Sequence, residues 1–394
     1  MAIKSIHDID IKDKRVFFRF DFNVPLDSAG VIKDDTRIRR ALPTIQYAIR
    51  QGAKSILASH LGRPKGERKA DMSLRPIAVR LQELLGRDVR FVNDCIGNEV
   101  KEAVAAIPGG GLLLLENLRF HIGETKNDAE FAGALASLAD VYINDAFGTA
   151  HRAHASTVGI AERVKEKGAG LLLKEELENL SKAFSNPARP VVAIFGGAKV
   201  SDKLAVLSNI LDRMDVTLIG GGMANSFLKA EGYPVGTSRI EEEVIGTASE
   251  MLQGSKSKQC ELILPMDVVV SGKIEEGAQT EVVKVSSVPA EKMCLDIGPE
   301  TIERFRQAID TAKTIIWNGP MGVFEIPAFS RGTMEIAKAV ADSTAFSVVG
   351  GGDTIRAVEQ AGVADKISYI STGGGAFMEF MEGKTLPGVA ALES

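Results

Sequence analysis

Arginine and histidine side chains follow the apolar runs in the first half of the chain. The run Val16–Phe20 leads into Asp21-Phe22-Asn23, and the run Ser55–Ala58 is followed by His60-Leu61-Gly62-Arg63. Arg37, Arg119 and Arg152 occupy similar places, and all five histidines of the chain lie in this half. Guanidinium groups match the planar geometry of carboxylate or phosphate. A single arginine is typical of a solvated surface, but the set predicts a site for a small, multiply anionic ligand.

The pair His151-x-x-His154 allows a metal site as an alternative reading. No accompanying carboxylate or cysteine pattern supports that reading. We therefore interpret His60 and His151 as anion donors or loop anchors.

Glycine follows the apolar runs in the second half. The clusters are Gly196-Gly197-Ala198-Lys199, Gly220-Gly221-Gly222, Asn318-Gly319-Pro320, Gly350-Gly351-Gly352-Asp353-Thr354 and Gly373-Gly374-Gly375. Glycine lets backbone N–H groups approach phosphate closely, and a following helix adds the positive end of its dipole. One cluster would be consistent with packing alone, but five clusters favour a nucleotide site. Lys199 and Lys203 are four residues apart, so they share one helix face.

Asp353 allows two interpretations. An isolated Asp at a helix start is most simply an N-cap, whereas Asp353 beside Thr354 and three glycines favours a Mg²⁺ site.

Several nucleotide-binding classes are excluded by their missing motifs. The sequence has no GxxxxGK[ST] P-loop, and no early GxGxxG followed by an acidic residue about 20 positions on. The H-R-D and D-F-G motifs of protein kinases are also absent.

Composition narrows the protein class further. The 394 residues are 45% apolar and 25% charged, and the net charge of -5 argues against a dedicated nucleic-acid binder. The three cysteines form no CxxC pair. The N-terminus carries Asp8, Asp10 and Asp13 where a signal peptide needs apolar residues, and no apolar run approaches the ~20 residues of a membrane span. We expect a cytoplasmic protein without nucleic-acid or membrane partners.

The elements that must position these residues are short strands. The runs of four to six apolar residues lack alternation, which is typical of parallel strands buried on both faces. The predicted strands are Val16–Phe20, Ser55–Ala58, Val89–Val92, Leu112–Leu115, Val141–Ile143, Val191–Phe195, Val216–Ile219, Leu262–Leu264, Thr314–Trp317, Phe346–Val349 and Ile367–Ile370. Gaps of roughly 20–45 residues leave room for crossover helices, so both halves read as stacked βαβ units.

A long helix joins the two halves. Leucines at helical spacing predict it from about Gly170 to Phe184, and Pro187 follows its end. We predict an α/β protein with two doubly wound, parallel-sheet domains. The expected limits are 1–170 for the first domain, 171–187 for the joining helix and 188–375 for the second domain. The apolar tail needs a surface on one of the two domains.

Nine segments resemble the phosphoglycerate kinase family, in the order of that family. They are DFNVPLD (21–27), HLGRP (60–64), ENLRF (116–120), DAFGTAHRAHAS (145–156), GGAKVSDK (196–203), GGGMANSF (220–227), WNGPMGVFE (317–325), GGGDT (350–354) and STGGGAFMEFMEGKTLPGV (371–389). The resemblance implies two Rossmann-like domains that face each other across a cleft, with the tail 376–394 packed on the first domain. It also implies a monomer.

The resemblance assigns residue roles. The substrate, 3-phosphoglycerate, would be held by Asp21, Phe22, Asn23, Arg37, His60, Leu61, Gly62, Arg63, Arg119 and Arg152. The nucleotide would be held by Lys203, Asn318, Glu325, Gly351, Gly352, Asp353 and Thr354, with Glu325 on the ribose and Asp353 on Mg²⁺. The catalytic set would be Arg37, Lys199, Lys203, Gly373 and Gly374. Phe377 and Thr354 depart from the most common residues of the family, and neither departure changes the expected activity.

The expected reaction is reversible phosphoryl transfer between ATP and 3-phosphoglycerate, in glycolysis and gluconeogenesis. The acceptor carboxylate is ionised at pH 7, so no general base is needed, and catalysis reduces to positioning and charge neutralisation. Domain closure would bring the substrates together and exclude water.

Two alternatives remain open at this point. A non-catalytic hinge protein that binds a phosphorylated metabolite would not need Lys199, Lys203, Glu325 and Asp353 together. A dehydrogenase would need the missing dinucleotide fingerprint.

Overall fold

The computed structural model describes residues 3–257 and 260–393, and their contacts form two compact units. The first unit extends to Leu177 and includes the tail from Thr385, and the second unit is Glu178–Lys384. The contact division leaves residues 376–384 with the second unit. The domain limits given by the sequence stay a prediction.

The first unit contains one parallel sheet of six strands. The strands are β1 (Arg15–Phe20), β2 (Lys54–Ala58), β3 (Arg90–Phe91), β4 (Leu112–Leu114), β5 (Val141–Asp145) and β6 (Glu166–Ala169). Their order is β3-β4-β2-β1-β5-β6, and all neighbours are parallel. The helices are α1 (Thr36–Arg50), α2 (Arg75–Leu85), α3 (Asn98–Ala105), α4 (Ile122–Thr125) and α5 (Ala129–Ala136).

Helix α6 (Leu171–Phe184) begins in the first unit and ends in the second. At its start the backbone N–H of Leu173 donates to Asp145 Oδ1 at 3.0 Å. At its end Phe184 contacts the ring of Phe380 edge-on, with ring centroids 5.8 Å apart. Its observed span agrees with the helix that the leucine spacing predicts.

The second unit contains a six-stranded parallel sheet and a smaller antiparallel sheet. The strands are β7 (Val191–Phe195), β8 (Val216–Ile219), β9 (Glu261–Ile263), β10 (Asp267–Ser271), β11 (Glu281–Lys284), β12 (Met293–Ile297), β13 (Thr314–Asn318), β14 (Phe346–Gly350) and β15 (Tyr369–Ser371). The large sheet has the order β15-β14-β13-β7-β8-β9, and the small sheet has the order β11-β10-β12. The helices are α7 (Leu204–Ile210), α8 (Met223–Ala230), α9 (Ile245–Ser257), α10 (Pro299–Thr311), α11 (Arg331–Asp342), α12 (Gly352–Gln360) and α13 (Gly375–Met381).

Short helical turns complete the chain. Helix α14 (Pro387–Ala390) lies in the tail, where the N–H of Gly388 donates to the carbonyl of Ala150 at 2.8 Å. Turns of 3-10 helix occupy Ile6–Asp8, Ala70–Met72, Leu118–Phe120, Phe147–Thr149, Ser201–Lys203, Glu242–Val244, Val285–Ser287, Pro327–Phe329 and Ala364–Lys366, and a π-helical turn spans Ala155–Gly159.

The predicted α/β class with two parallel sheets is confirmed. The central strands β5, β7 and β13 are buried along their full length, as unalternating apolar runs require. The sequence prediction missed β6 and the antiparallel sheet. Strand β6 is a short edge strand of composition EKGA, which has no apolar run, and β11 is mostly exposed.

Membrane insertion of a helix finds no support in the described part of the chain. No helix within residues 3–257 or 260–393 is long and apolar enough to cross a bilayer.

Asp267, at the start of β10, accepts hydrogen bonds from the N-terminus of α10. We therefore expect its removal to destabilise the second unit. Its Oδ1 accepts from the N–H of Thr301 at 2.8 Å, and its Oδ2 accepts from the N–H of Glu300 at 3.1 Å. Asp267→Ala should lower the free energy of unfolding of the second unit by about 2 kcal/mol, because a buried helix start loses its acceptors. Urea denaturation followed by the fluorescence of Trp317, the single tryptophan, measures this unit.

The matched control is Asp310→Ala at the exposed end of the same helix. It should change the free energy of unfolding by less than about 0.5 kcal/mol. Equal midpoints for the two variants would contradict the capping role.

Candidate active site

The loops after β1 and β2 meet in the first unit. Arg37, in the first turn of α1, donates through Nη1 to Asp21 Oδ2 at 2.9 Å and to the carbonyl of Asn23 at 3.2 Å. The Oδ1 of Asn23 accepts from the N–H of Gly62 at 2.9 Å. Strands β1 and β2 are neighbours in the sheet, so their following loops lie side by side. These contacts fix the orientation of Arg37 before any ligand arrives.

His60 is buried and electrically neutral. Its Nδ1 lies 3.1 Å from Arg19 Nη2, and a guanidinium can only donate. The ring therefore carries its single proton on Nε2. Burial, followed by the charges of Arg19 and Arg119, lowers the pKa of His60 well below its usual 6.5. The ring can thus donate one hydrogen bond from Nε2 to an anion at pH 7.

Arg19 orients His60 from within β1. Its side chain is fully buried and its Nε donates to Ser156 Oγ at 2.8 Å. Ser156 Oγ in turn donates to Glu124 Oε1 at 2.6 Å, and Glu124 is also fully buried. The buried positive charge of Arg19 is thus offset through a hydroxyl by a buried carboxylate. The sequence reasoning missed all three residues, although an arginine within the run VFFRF was a visible signal.

Arg119 contributes a second buried guanidinium. Its Nη1 donates to the carbonyl of Gly62 at 2.7 Å, while its buried Nε has no hydrogen-bond partner among the described residues. Burial, with the charges of Arg19 and Arg152, lowers its pKa to about 10, so the group stays ionised at pH 7. An unsatisfied buried N–H is costly, and an anionic ligand would satisfy it.

The other predicted residues differ in exposure. Phe22 and Leu61 are buried apolar side chains that belong to the loops after β1 and β2. Arg152 is half-buried and its Nε lies 3.1 Å from His151 Nε2, whereas Arg63 is exposed. Four arginines thus act on the neutral His60. This arrangement suits a small ligand with more than one negative charge.

In the second unit, Lys203 links two glycine-rich strand ends. Its Nζ donates to the carbonyls of Gly196 and Asn318, the second at 2.9 Å. Burial lowers its pKa to about 8, so the ammonium is still mostly protonated at pH 7. Gly319 has φ +104°, and a Cβ there would overlap the carbonyl oxygen of Gly196 and approach Lys203 Nζ. Glycine is therefore required for this close approach.

Asn318 and Thr354 fix the loop after β14. Asn318 Nδ2 donates to the carbonyl of Gly350 at 2.8 Å, and Thr354 Oγ1 accepts from the N–H of Gly319 at 2.7 Å. Gly351, at φ +94°, precedes α12. Gly373 and Gly374 lead from β15 into α13 in the same manner. Both loops present backbone N–H groups at helix starts.

A cavity of about 320 Å³ lies beside these loops, entirely within the second unit. Its lining is Gly197, Ala198, Gly222, Asn225, Arg239, Ile274, Met293, Cys294, Leu295, Pro320, Gly322, Val323, Glu325 and Asp353. Apolar walls with a few polar groups suit a flat heterocycle with a polar extension. Met293 and Leu295 come from β12, which the sequence prediction did not recognise, so the apolar wall was missed.

Three predicted residues of this unit that carry a charge are exposed. Glu325 and Asp353 line the cavity, and both interact with Arg356 Nη2, at 3.4 Å and 2.7 Å. Lys199 is exposed in the loop before the 3-10 turn Ser201–Lys203, so the prediction that it shares a helix face with Lys203 is wrong. The structure therefore holds Lys203, Asn318 and Thr354 in fixed contacts and leaves Lys199, Glu325 and Asp353 accessible.

Comparisons with known proteins agree over the whole chain. A family model described as phosphoglycerate kinase matches residues 6–384. The phosphoglycerate kinases of Anaeromyxobacter dehalogenans (strain 2CP-C) and Moorella thermoacetica are each 55% identical to this chain. These alignments cover 100% of this chain and 100% and 99% of the relatives, respectively.

Solved structures are similar over the same length. The structure of phosphoglycerate kinase from Coxiella burnetii has a TM-score of 0.93 at 45% identity, covering 99% of both chains. The crystal structure of phosphoglycerate kinase from Pyrococcus horikoshii OT3 has a TM-score of 0.85 at 35% identity, covering 98% of both chains.

The environment of His60 predicts its titration. A lowered pKa means that the folded protein does not take up the proton that a histidine in the unfolded chain binds near pH 6.5. The ring should therefore remain neutral, with its proton on Nε2, as the pH falls through 6.5. The stability that neutral His60 contributes at higher pH should be lost progressively as the pH falls below 6.5. Long-range ¹H–¹⁵N NMR distinguishes the tautomers, and His60→Gln assigns the signals. A His60 titration midpoint near 6.5 would contradict the interpretation.

Proposed function

The chain belongs to the phosphoglycerate kinase family, and from this membership we propose how its residues divide the reaction. The enzyme is a phosphotransferase with a carboxyl group as acceptor. It transfers a phosphoryl group reversibly between ATP and 3-phosphoglycerate, giving ADP and 1,3-bisphosphoglycerate. The observation that carries our assignment is that the arginine cluster lies in the first unit and the glycine-lined cavity in the second.

We assign 3-phosphoglycerate to the first unit. His60 Nε2–H and the unpaired Nε–H of Arg119 are donors of fixed direction, which suits the phosphate end of this ligand. Arg63 and Arg152 add charge, and we assign Arg37 to the acceptor carboxylate. Asp21, Asn23 and Gly62 orient these donors, while Phe22 and Leu61 support the loops.

We assign the nucleotide to the second unit. The apolar cavity wall takes the base, and Glu325 accepts from the ribose hydroxyls. Lys203, Asn318 and the loop Gly351, Gly352, Asp353 and Thr354 hold the phosphates through charge and backbone N–H groups. The Asp353 carboxylate is exposed and pairs with Arg356, an arrangement that leaves it accessible to a metal ion.

The residues fit Mg²⁺, which accompanies ATP. Magnesium is usually held in proteins by one or two carboxylates together with substrate phosphates, and Asp353 offers one carboxylate at the edge of the cavity. When bound, the ion neutralises phosphate charge. The ribose and phosphate contacts that we assign in the preceding paragraph are made by protein residues and do not require the ion.

The chemical step needs no general base in this assignment. The attacking oxygen belongs to a carboxylate that is already ionised at pH 7. Arg37 and Lys199, with the N–H groups at Gly373 and Gly374 before α13, neutralise charge on the moving phosphoryl group. The protein orients the reactants and keeps water from competing as acceptor.

We further propose that the enzyme acts in glycolysis and gluconeogenesis as a cytoplasmic monomer. The family resemblance and the ordinary, mildly acidic composition support this setting.

Arg37 is the sharpest test of the assignment. A coupled assay with 3-phosphoglycerate and Mg-ATP should show turnover for the wild type. Arg37→Ala should reduce kcat by about 10²–10³, because one charge-neutralising donor is lost. Arg39→Ala is the matched control, since Arg39 is exposed on the same helix and pairs with Asp35 at 2.8 Å. Equal kcat for the two variants would contradict the role of Arg37.

Calorimetric titration completes this test. Arg37→Ala should bind ADP normally, whereas Lys203→Met should lose ADP affinity and keep 3-phosphoglycerate affinity. A loss of both ligands in either variant would contradict the division of sites.

Direct transfer also predicts hinge bending. A ligand shifts a conformational equilibrium only by its differential affinity for the two states, and only the ternary complex offers contacts from both units. The radius of gyration from small-angle scattering should therefore decrease most with both ligands bound and less with either alone. An identical radius in all four states would contradict closure.

A further inference from the structure

Three potential metal ligands lie together in the first unit, outside both sites described above. They are Asp94 and Cys95, in the loop between β3 and α3, and His121, which follows the 3-10 turn Leu118–Phe120. One ligand atom from each residue lies within 4.8 Å of the other two. None of the three belongs to the residues assigned to 3-phosphoglycerate or nucleotide.

The three ligand atoms are oriented by other contacts. Asp94 Oδ1 lies 2.6 Å from His121 Nε2 and accepts from the N–H of Cys95 at 2.7 Å. The ring of His121 stacks on Phe131 with centroids 4.9 Å apart. Cys95 Sγ donates to the carbonyl of Glu116 at 2.9 Å. Each side chain is thus turned toward the same small volume.

These distances suit a tetrahedral cation after local adjustment, since atoms up to 4.8 Å apart must approach and one close pair must separate. Zinc bonds of 2.0–2.3 Å separate tetrahedral ligand atoms by about 3.3–3.6 Å. The contact between Asp94 and His121 has to widen by about 1 Å as the ion replaces the hydrogen between them. The Cys95 thiol also has to release its proton to solvent.

We propose that Asp94, Cys95 and His121 form a binding site for one Zn²⁺ ion, with the fourth position taken by water. A thiolate, an imidazole and a carboxylate form a donor set that favours zinc over magnesium, which prefers oxygen ligands alone. The thiolate and carboxylate together offset the charge of the ion. Arg68 Nη2, 3.7 Å from Asp94 Oδ2, opposes binding electrostatically and limits the affinity.

The ion can reach this site from solvent. The side chains of Asp94 and His121 are 38% and 28% exposed, whereas Cys95 is buried. The thiolate would therefore lie at the protected end of the site. A buried sulfur ligand with a water-accessible opposite side is the arrangement of an exchangeable site with an open position.

Zinc binding would be coupled to the position of the segment that carries Arg119. His121 lies two residues after Arg119, and Cys95 bonds the carbonyl of Glu116 at the start of the same segment. The carboxylate of Glu116 in turn accepts from the N–H of Leu74 at 2.8 Å and from Ser73 Oγ at 2.7 Å. Because the Cys95 thiolate has no proton to donate, zinc binding would hold the segment 116–121 at His121 and break the hydrogen bond at Glu116.

Cobalt titration of the full-length, chelator-treated protein tests the proposal. Co²⁺ should bind with a stoichiometry of one and produce a thiolate-to-cobalt charge-transfer band, and added Zn²⁺ should remove that band. Cys95→Ser should abolish the band, and His121→Gln should weaken Zn²⁺ binding by at least about 100-fold, because even outer-shell changes cost about 10–100-fold. Circular dichroism verifies that each variant is folded.

The matched controls are Cys260→Ser, which removes another buried thiol, and His7→Gln, which removes an exposed histidine. Both controls should retain the band and the wild-type Zn²⁺ affinity. The proposal is overturned if the wild type produces no charge-transfer band, or if folded His121→Gln binds Zn²⁺ as tightly as His7→Gln.

Discussion

The hydrogen bonding of parallel strands determines where every functional group of this chain lies. Parallel neighbours end at the same edge, so the loops that follow them are brought together regardless of their separation in sequence. In the first unit β1 lies between β2 and β5, which brings the loop at Asp21 beside His60. In the second unit β7 lies between β13 and β8, and Lys203 consequently bonds the strand ends at both Gly196 and Asn318.

This convergence creates an electrostatic problem in the first unit that the fold solves locally. Arg19 is fully buried near three other arginines, which would repel one another in a medium of low dielectric constant. Glu124, through Ser156, offsets the charge of Arg19, Asp21 pairs with Arg37, and His60 remains neutral. The remaining imbalance favours an anion. The balance of arginine charges therefore affects both the stability of the unit without ligand and its affinity for a multiply charged ligand.

The sequence predicts the parallel sheets well because their strands are buried on both faces and read as plain apolar runs. It misses the short edge strand β6 and the small antiparallel sheet, in which β11 is mostly exposed but β10 and β12 are largely buried. The same limits apply to the site. The pattern names residues that follow strand ends, and their roles stay a prediction, whereas Arg19 lies within a strand and Met293 lies on an unrecognised one. Partnerships such as that of Arg19 with Glu124 join residues far apart in sequence, so no local pattern reveals them.

The contrast between buried and exposed groups bears on how the reaction is accelerated. His60, Arg119 and Thr354 are buried and held by fixed hydrogen bonds, so they can bind ground states with little reorganisation. Lys199 and Asp353 are exposed, and the transferred phosphoryl group is assigned to this side of the second unit. Binding energy accelerates a reaction only where contacts strengthen in the transition state. Exposed groups whose contacts to the transferred group form only when both substrates are bound would satisfy that condition. In the proposed assignment the buried groups supply affinity and orientation, and exposed Lys199 acts on the transferred group together with the pre-oriented Arg37.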